Sequence, residues 1–205
     1  MVVTAPMVIA VHSSVPAKTM AELVGWLKAN PGKLNYASPG YGSSPHLASE
    51  WLFNITYGLK VIHVPFLGAA PAVQAVLRGE PPVFHEVLPA VLPYINQGAM
   101  RGLAVASSNR SPFLPDVPTL AETGVPGHEV GFWSGLLAPS GTPTDVLQRL
   151  HAALAATVGT PDFGERLVKM GFDVAPSTAE QFTALMRAEA DKWRKVVHDA
   201  DIKIE

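Results

Sequence analysis

The sequence contains no cysteine, which excludes disulfide bonds, thiolate zinc sites and cysteine nucleophiles together. It has no excess of positive charge either, because 15 lysines and arginines stand against 17 aspartates and glutamates, for a net charge of −2. A nucleic-acid-binding surface needs a basic excess that displaces phosphate counterions. The charge balance therefore predicts no nucleic-acid partner.

The sequence also predicts neither a membrane-spanning segment nor an export signal. The uncharged opening stretch, 1–17, is interrupted by Pro6, His12 and two serines, so it is too short and too polar to span a bilayer. A secretory signal needs a lysine or arginine before its apolar segment and a small-residue cleavage site, and neither is recognisable. We therefore expect no signal peptide within this chain.

The remaining composition is typical of a globular protein. Apolar residues form 48% of the 205 residues and charged residues 16%, which excludes intrinsic disorder. The length predicts one large domain or two small lobes. Short apolar runs alternate with helical patterns, which predicts the α/β fold class. The predicted strands are 7–11, 34–37, 61–64, 83–86 and 103–107, the predicted helices are 20–29, 45–58, 71–78 and 90–97, and an extended segment is predicted at 129–138.

Capping patterns predict where the later helices start. Thr119 and Glu122 predict a short helix within a proline-rich connection. Three further helices are predicted to start at 142–143, at 160–161 and at the Ser177/Glu180 pair, and the last reaches about Asp199.

A glycine-rich turn, 38–43, follows the second predicted strand and precedes a helix with Ser44 as its predicted N-cap and Pro45 in its first turn. Pro45 occupies the third glycine position of a dinucleotide fingerprint, so a Rossmann site is excluded. The free amides and the hydroxyls of Ser43 and Ser44 would suit a carboxylate. Ordinary helix capping is the alternative interpretation of the same residues.

Other catalytic motifs are incomplete. His85-Glu86 and His128-Glu129 each begin like the metalloprotease motif H-E-x-x-H, but the second histidine is missing in both. Ser43 and His46 could form a hydrolase pair, yet no nucleophile elbow and no third member accompany them. These residues predict no metal and no cofactor.

Several motifs together resemble a known family. The run 30–48 reads N-P-G-K-L-N-Y-A-S-P-G-Y-G-S-S-P-H-L-A, and V-P-F-L-G follows at 64–68. R-S-P at 110–112, L-P-D-V-P-T at 114–119, Trp133 with G-L-L-A-P at 135–139, and G-T-P at 141–143 complete the series in order. This series resembles the substrate-binding proteins of tripartite tricarboxylate transporters, the Bug receptors.

The resemblance implies a periplasmic-binding-protein-like fold of type II, with two lobes around a cleft. It implies that residues 1–130 form the second lobe and that 131–205 return to the first lobe. The family's opening segment has no match here, so we expect an incomplete first lobe with an exposed edge that favours self-association. The implied role is periplasmic and non-catalytic: a receptor binds a small organic carboxylate and delivers it to membrane transporter subunits.

The resemblance also directs attention to particular residues. The candidate ligand-binding residues are Ser38, Gly40, Gly42, Ser43, Ser44, Phe66, His46 and Glu86, of which Phe66 would form an apolar wall and the last two would lie at the rim. Phe66 replaces the family's usual tyrosine. Pro81 and Pro82 replace its V-D, and because proline donates no ladder hydrogen bond, we expect a shortened strand or an edge strand there. The two competing interpretations are a self-associating interaction module and the Ser43/His46 hydrolase.

Overall fold

The computed structural model describes residues 1–32 and 34–202, so Lys33 of the 30–48 motif and residues 203–205 lie outside the described residues. The strands are β1 (Val3–His12), β2 (Asn35–Ser38), β3 (Ile62–Pro65), β4 (Val83–Val87), β5 (Met100–Val105), β6 (Gly131–Ser134) and β7 (Asp173–Val174). The helices are α1 (Met20–Ala29), α2 (Ser44–Glu50), α3 (Ala69–Leu77), α4 (Leu88–Asn96), α5 (Thr144–Val158), α6 (Pro161–Lys169) and α7 (Ala179–Asp199), and a π-helix (Trp51–Thr56) continues α2.

The larger sheet has the strand order β3-β2-β4-β1-β5. β2 runs parallel to β3 and β4, whereas β1 is antiparallel to β4 and β5. Apolar side chains of α1, α2 and the π-helix form one core cluster, and those of α3 and α4 form the other. Both faces of the sheet are thus covered, which explains why β1 and β4 are almost continuously apolar and buried.

β1 belongs to two sheets. Its second half, from Met7, pairs with β4 and β5, while residues 3–6 pair with β6 and 3–4 also pair with β7. Within the described ranges, neither β6 nor β7 pairs with a further strand. The predicted second lobe, 1–130, therefore contains a strand whose first residues contribute to the smaller sheet.

α7 is the longest helix and contacts β6 of the smaller sheet and α2, which covers the larger sheet. A reciprocal capping box of Thr178 and Gln181 starts it. Phe182, in its first turn, packs edge-to-face on Trp133 of β6, with ring centroids 5.4 Å apart. Eleven residues later, Trp193 packs against the core cluster formed with α1 and α2. No helix in the described part of the chain is both long enough and apolar enough to cross a membrane.

Two of the helix starts predicted in the second half of the chain are wrong. The Thr119/Glu122 box forms, since the Thr119 N–H donates to the Glu122 carboxylate at 2.7 Å and the Glu122 N–H donates to Thr119 Oγ1 at 3.1 Å, but only turns follow it. Arg110 pairs with the same carboxylate, and the prolines around it prevent a regular helix. At α7 the cap is Thr178 with Gln181, one residue later than predicted.

The edge position predicted for the strand after Pro81 and Pro82 is also wrong. β4 begins directly after these prolines, has 5 residues and lies in the interior of the sheet between β2 and β1. The absence of an N–H on Pro82 does not disrupt the sheet, because the hydrogen bond at this position uses the Pro82 carbonyl. This carbonyl accepts from the His12 N–H at 2.8 Å. The prolines therefore precede the ladder and do not interrupt it.

The interior position of β4 leads to a stability prediction. Phe84 is fully buried in the cluster formed with α3 and α4. Replacing Phe84 with alanine should lower the free energy of unfolding by about 3–5 kcal/mol, because transfer and cavity terms add. The exposed Leu67 is the matched control, and Leu67→Ala should change stability by less than about 0.5 kcal/mol. Urea unfolding measures both variants, and equal effects would contradict the described packing.

Candidate functional site

The loop between β2 and α2 lies at the edge of the larger sheet that faces the smaller one. Because β2, β3 and β4 are parallel, Ser38, Pro65 and Val87 end at the same edge. Met7 of β1 pairs with Val87, and the residues before Met7 already belong to the smaller sheet. Loops that follow these strand ends are therefore placed between the two sheets.

Glycine is required twice in this loop. Gly42 has φ of +70°, a left-handed conformation that side chains other than glycine rarely adopt. A Cβ on Gly40 would lie 3.3 Å from the Phe66 carbonyl oxygen of the loop after β3. The glycines thus allow a tight turn and a close approach of two backbones.

Most amides of the loop are already hydrogen-bonded, which corrects the expectation of several free donors. The Gly40 N–H donates to Ser38 Oγ at 3.1 Å, the Ser43 N–H donates to the Gly40 carbonyl at 3.3 Å, and the Gly42 N–H donates to His46 Nδ1 at 3.1 Å. Within residues 1–32 and 34–202, the amides of Tyr41 and Ser44 have no such partner. Only these two remain as backbone donors for a ligand.

Ser43, and not the predicted Ser44, is the N-cap of α2. Its hydroxyl accepts from the His46 N–H at 3.4 Å and donates to the Gly40 carbonyl at 2.7 Å. The hydrolase interpretation fails for the same reason, because the Ser43 proton is directed to a carbonyl and His46 Nδ1 accepts from Gly42. Ser44 is released from capping.

Aromatic and imidazole rings pack behind the loop. His46 stacks on His63 with centroids 3.9 Å apart, His63 stacks on Tyr36, and Tyr41 lies edge-on to both imidazoles. Burial, with a smaller contribution from the neighbouring His46, lowers the pKa of His63 to about 4. Burial also lowers the pKa of His46, although Glu50 opposes this. Both rings are neutral at pH 7 and serve the loop as packing and hydrogen-bonding groups.

A cavity of about 440 Å³ lies between the loop, β6 and α7. We call it the α2–α7 cavity. Its volume is within the range of small-molecule sites. The residues that line it are Gly42, Ser44, Leu47, Gly131, Phe132, Trp133, Met186, Glu189, Ala190 and Trp193.

A second cavity, of about 450 Å³, lies along β1, β6 and the loop after β5, and it shares residues 131–133 with the first. Its two cationic side chains are paired. Arg110 lies 3.0 Å from the Glu122 carboxylate, and Lys192 forms an ion pair with Glu189. Neither side chain is a free cation for an anionic ligand.

Of the predicted site residues, Gly42 and Ser44 line the α2–α7 cavity. Ser38, His46 and Glu86 are buried, with exposures of 0, 3 and 2%, so the expected rim positions of His46 and Glu86 are wrong. Their side chains point into the protein because helices cover both faces of the sheet that contains β2 and β4, and α2 is one of these helices. Phe66 is half-buried against the core cluster of α3 and α4, and Gly40 and Ser43 shape the turn without lining either cavity.

The sequence prediction missed the α7 wall of the cavity. Met186, Glu189, Ala190 and Trp193 recur at spacings of three and four residues, which places them on one helix face. That periodicity is visible in the sequence. What this face covers depends on the position of α7 across both sheets, which no local pattern reveals.

Three further buried ionisable groups lie in the larger sheet and its surroundings. Among the described residues, no hydrogen-bond partner lies within reach of either ring nitrogen of His85 or of His128, or of Glu86 Oε2. Burial lowers the pKa of His85 to about 3 and that of His128 to about 4, while the Ala48 carbonyl opposes both shifts. Burial raises the pKa of Glu86 to about 7. All three groups favour their neutral forms.

Two α/β sheets joined by one shared strand, with a cavity between them, define a solute-binding architecture. Comparison with known proteins agrees with this class. The model of the tripartite tricarboxylate transporter family receptor matches residues 1–202, and the chain belongs to this family. The family groups transporter receptors and not enzymes, as the resemblance implied.

Individual relatives are similar in sequence and in fold. A UPF0065 protein in the tcbD-tcbE intergenic region of Pseudomonas sp. strain P51 is 35% identical over 195 residues, covering 95% of this chain and 58% of the relative. The structure of R. palustris Rpa4515 with adipate has a TM-score of 0.91 and 31% identity, covering 98% of this chain and 67% of that chain. MatC from Rhodopseudomonas palustris with bound malate has a TM-score of 0.86 and 30% identity, covering 95% and 67%. The chain thus spans less than two thirds of the sequence relative's length.

The buried imidazoles predict that acid destabilises the fold. A histidine whose pKa is lowered by folding contributes stability above pH 6.5 that is lost as the pH falls towards 4. His63, His85 and His128 all have this sign, whereas Glu86 has the opposite one, contributing stability that is lost as the pH rises through 7. The histidines outnumber the glutamate, so the free energy of unfolding should fall by more than about 1 kcal/mol between pH 7 and pH 4.5.

Urea unfolding at several pH values measures this slope. The variant His85→Gln/His128→Gln, which cannot be protonated at these positions, should show a shallower slope than the parent chain. An identical slope in the parent and the variant would contradict the assignment of the acid effect to the buried pair.

Proposed function

We propose that this chain is the ligand-binding part of a periplasmic receptor that binds a small organic carboxylate and delivers it to a membrane transporter. The α2–α7 cavity is the proposed binding site. The observation that carries the proposal is that Ser44 and Gly42, from the loop after β2, line the same cavity as β6 and α7. A ligand there contacts elements of both sheets, as a receptor that reports occupancy to a partner requires.

The proposed anchor for the carboxylate is Ser44. Its amide has no partner within the described residues, its hydroxyl is released from capping by Ser43, and it lines the cavity. The Tyr41 amide in the preceding turn also has no backbone partner within the described residues. Backbone N–H groups stabilise an anion without any cationic side chain.

The relatives support the class of ligand and the location. Rpa4515 is described with adipate and MatC with bound malate, and both molecules are carboxylates. The similar BugD is described as a periplasmic binding protein. The family description names a receptor of a tripartite transporter, which supports transporter subunits as the proposed partners.

We further propose that residues 1–130 form the second lobe and that 131–202 form part of the first. The larger sheet and both core clusters lie within the first range, and β6, β7, α5 and α6 lie within the second. Two elements, β1 and α7, make contacts across this division. Residues 3–6 of β1 pair with β6, and Trp193 of α7 packs on the core of the larger sheet.

Self-association is a second candidate property, and one observation favours it. Val146, Leu147 and Leu150 of α5 are exposed by 36, 42 and 57%, and their spacing places them on one helix face. Leu136 and Leu137 in the preceding loop are also exposed. A contiguous apolar face of this kind is typical of a protein–protein contact. A second copy of the chain is the proposed occupant.

The anchor is tested by removing one amide hydrogen. Proline is accepted in the first turn of a helix and lacks the N–H, so Ser44→Pro should leave α2 intact and weaken binding of a carboxylate at least about tenfold. Ser44→Ala is the matched control, because it removes the hydroxyl and keeps the amide, and it should weaken binding less. Isothermal titration calorimetry with adipate and phenylacetate measures the affinities.

If neither carboxylate binds the parent chain at millimolar concentration while thermal unfolding shows a folded protein, the proposed function is rejected. Equal affinities for the parent chain and a folded Ser44→Pro variant would instead reject Ser44 as the anchor.

The self-association candidate is tested on α5. Introducing like charges with Leu147→Glu and Leu150→Glu should convert any dimer into a monomer, because two charged faces repel and resist desolvation. Sedimentation equilibrium measures the mass, with Gln148→Glu, elsewhere on the same helix, as the control. A parent chain that stays monomeric at high concentration would exclude the second copy as the partner of this face.

A further inference from the structure

A buried imidazole holds the turn that precedes Ser44. The Gly42 N–H donates to His46 Nδ1 at 3.1 Å, four residues further along the chain. Gly42 and Ser44 both line the α2–α7 cavity, whereas His46 is only 3% exposed and does not line it. This hydrogen bond therefore joins an interior side chain to the backbone at the cavity wall.

Only a neutral imidazole can make this hydrogen bond. A ring nitrogen accepts when it carries no proton, and both ring nitrogens of an imidazolium are donors. The bond to Gly42 therefore requires the His46 tautomer with its proton on Nε2. A proton added at Nδ1 would set two N–H groups against each other, and the turn at Gly42 would have to change its shape.

A second imidazole supports the same turn from β3. The His63 ring stacks on the His46 ring with centroids 3.9 Å apart, and His63 Nε2 lies 2.6 Å from Ser38 Oγ. Ser38 Oγ accepts in turn from the Gly40 N–H at 3.1 Å. The stacked pair thus supports the turn at both of its glycines. A charge on either ring would be desolvated, and charges on both would repel at short range.

Other titratable groups lie on the elements packed around the stacked rings. Glu50, on the same helix as His46, favours a charge on this ring, but burial is the larger effect and lowers the pKa of His46. The stacked pair is therefore neutral at pH 7. Further groups of this kind are Tyr36 on β2, Tyr41 in the loop, His85 and Glu86 on β4, His128 before β6, and the paired Glu189 and Lys192 on α7.

We infer that His46 is a positioning residue of the binding site: its neutral imidazole fixes the turn at Gly42, and a proton on Nδ1 releases the turn and weakens ligand binding. The inference rests on the proposed function and adds regulation by pH to the same site. His46 acts through the backbone of Gly42 and Ser44 and does not itself touch the ligand, because it lies outside the cavity lining.

Two substitutions separate hydrogen bonding from space filling. His46→Asn keeps an acceptor, because its Oδ1 is as many bonds from the backbone as Nδ1 is, and it does not titrate. His46→Leu keeps an apolar body and has no acceptor. In calorimetric titration with adipate at pH 7, His46→Leu should bind at least about tenfold more weakly than the parent chain, and His46→Asn should bind within about threefold of it. A side chain that only fills space would give the opposite order.

The pH profile tests the role of the proton. Between pH 7 and pH 4.5, the adipate affinity of the parent chain should fall relative to that of His46→Asn by at least about threefold. Protonation of adipate affects both titrations equally, so the ratio of the two affinities reports the protein. His151→Gln removes an exposed histidine of α5 and should follow the parent profile. Thermal unfolding at each pH shows that the titrated chains are folded.

Hydrogen exchange of the ligand-free chain gives a measurement that does not depend on binding. The protection factor of the Gly42 amide, measured by NMR, should fall at least about threefold between pH 7 and pH 4.5 in the parent chain. In His46→Asn it should stay constant over this range, and in His46→Leu it should already be low at pH 7.

The outcomes distinguish the two proposals. If adipate binds none of the folded chains, the proposed function is rejected and the inference with it. If adipate binds, the inference fails and the proposed function stands in any of three cases. These are a His46→Leu affinity equal to that of the parent, identical pH profiles for the parent and His46→Asn, and a Gly42 protection factor that neither acid nor His46→Leu changes.

Discussion

The pairing of β1 in both sheets determines the geometry of the whole molecule. Residues 3–6 bond to β6, and from Met7 onward the same strand bonds to β4 and β5. Because one strand continues directly from one ladder into the other, its two pairing registers set where β6 lies along β1 relative to β4. Trp133 on β6 and Ser44 after β2 line one cavity for this reason, and α7 lines another side of it.

The interior of the protein contains several ionisable side chains whose neutral forms are favoured. His85, His128 and His63 have lowered pKa values, and Glu86 has a raised one, with burial as the largest cause in each case. The cationic side chains nearest the cavities are in turn paired with carboxylates. For the proposed carboxylate ligand, the donors that remain near the α2–α7 cavity are therefore backbone amides and hydroxyls.

Most of the fold is predictable from the sequence because it depends on local chemistry. Strand and helix positions followed from apolar periodicity, and Thr19 caps α1 as its spacing with Glu22 indicates. Two of the failures share a cause. Thr119 and Glu122 form their capping bonds without a helix, and β4 lies in the sheet interior despite Pro82, because distant partners, Arg110 and His12, decide how those groups are used. Ser43 takes the cap from Ser44 for a comparable reason, since its hydroxyl also meets the Gly40 carbonyl.

For the site, the sequence by itself determined the glycine-rich turn, its serines and the family to which the chain belongs, since each depends on residues close together in the chain. Only the tertiary structure decided which of those groups reach a ligand. It used the amides of Gly40, Gly42 and Ser43 within the loop, buried His46 and Glu86, and brought Trp133 and Trp193 to the cavity from β6 and α7. The physical reason is that a hydrogen-bond donor or a ring surface is available only when nothing else in the folded chain contacts it, and those contacts join residues far apart in the sequence.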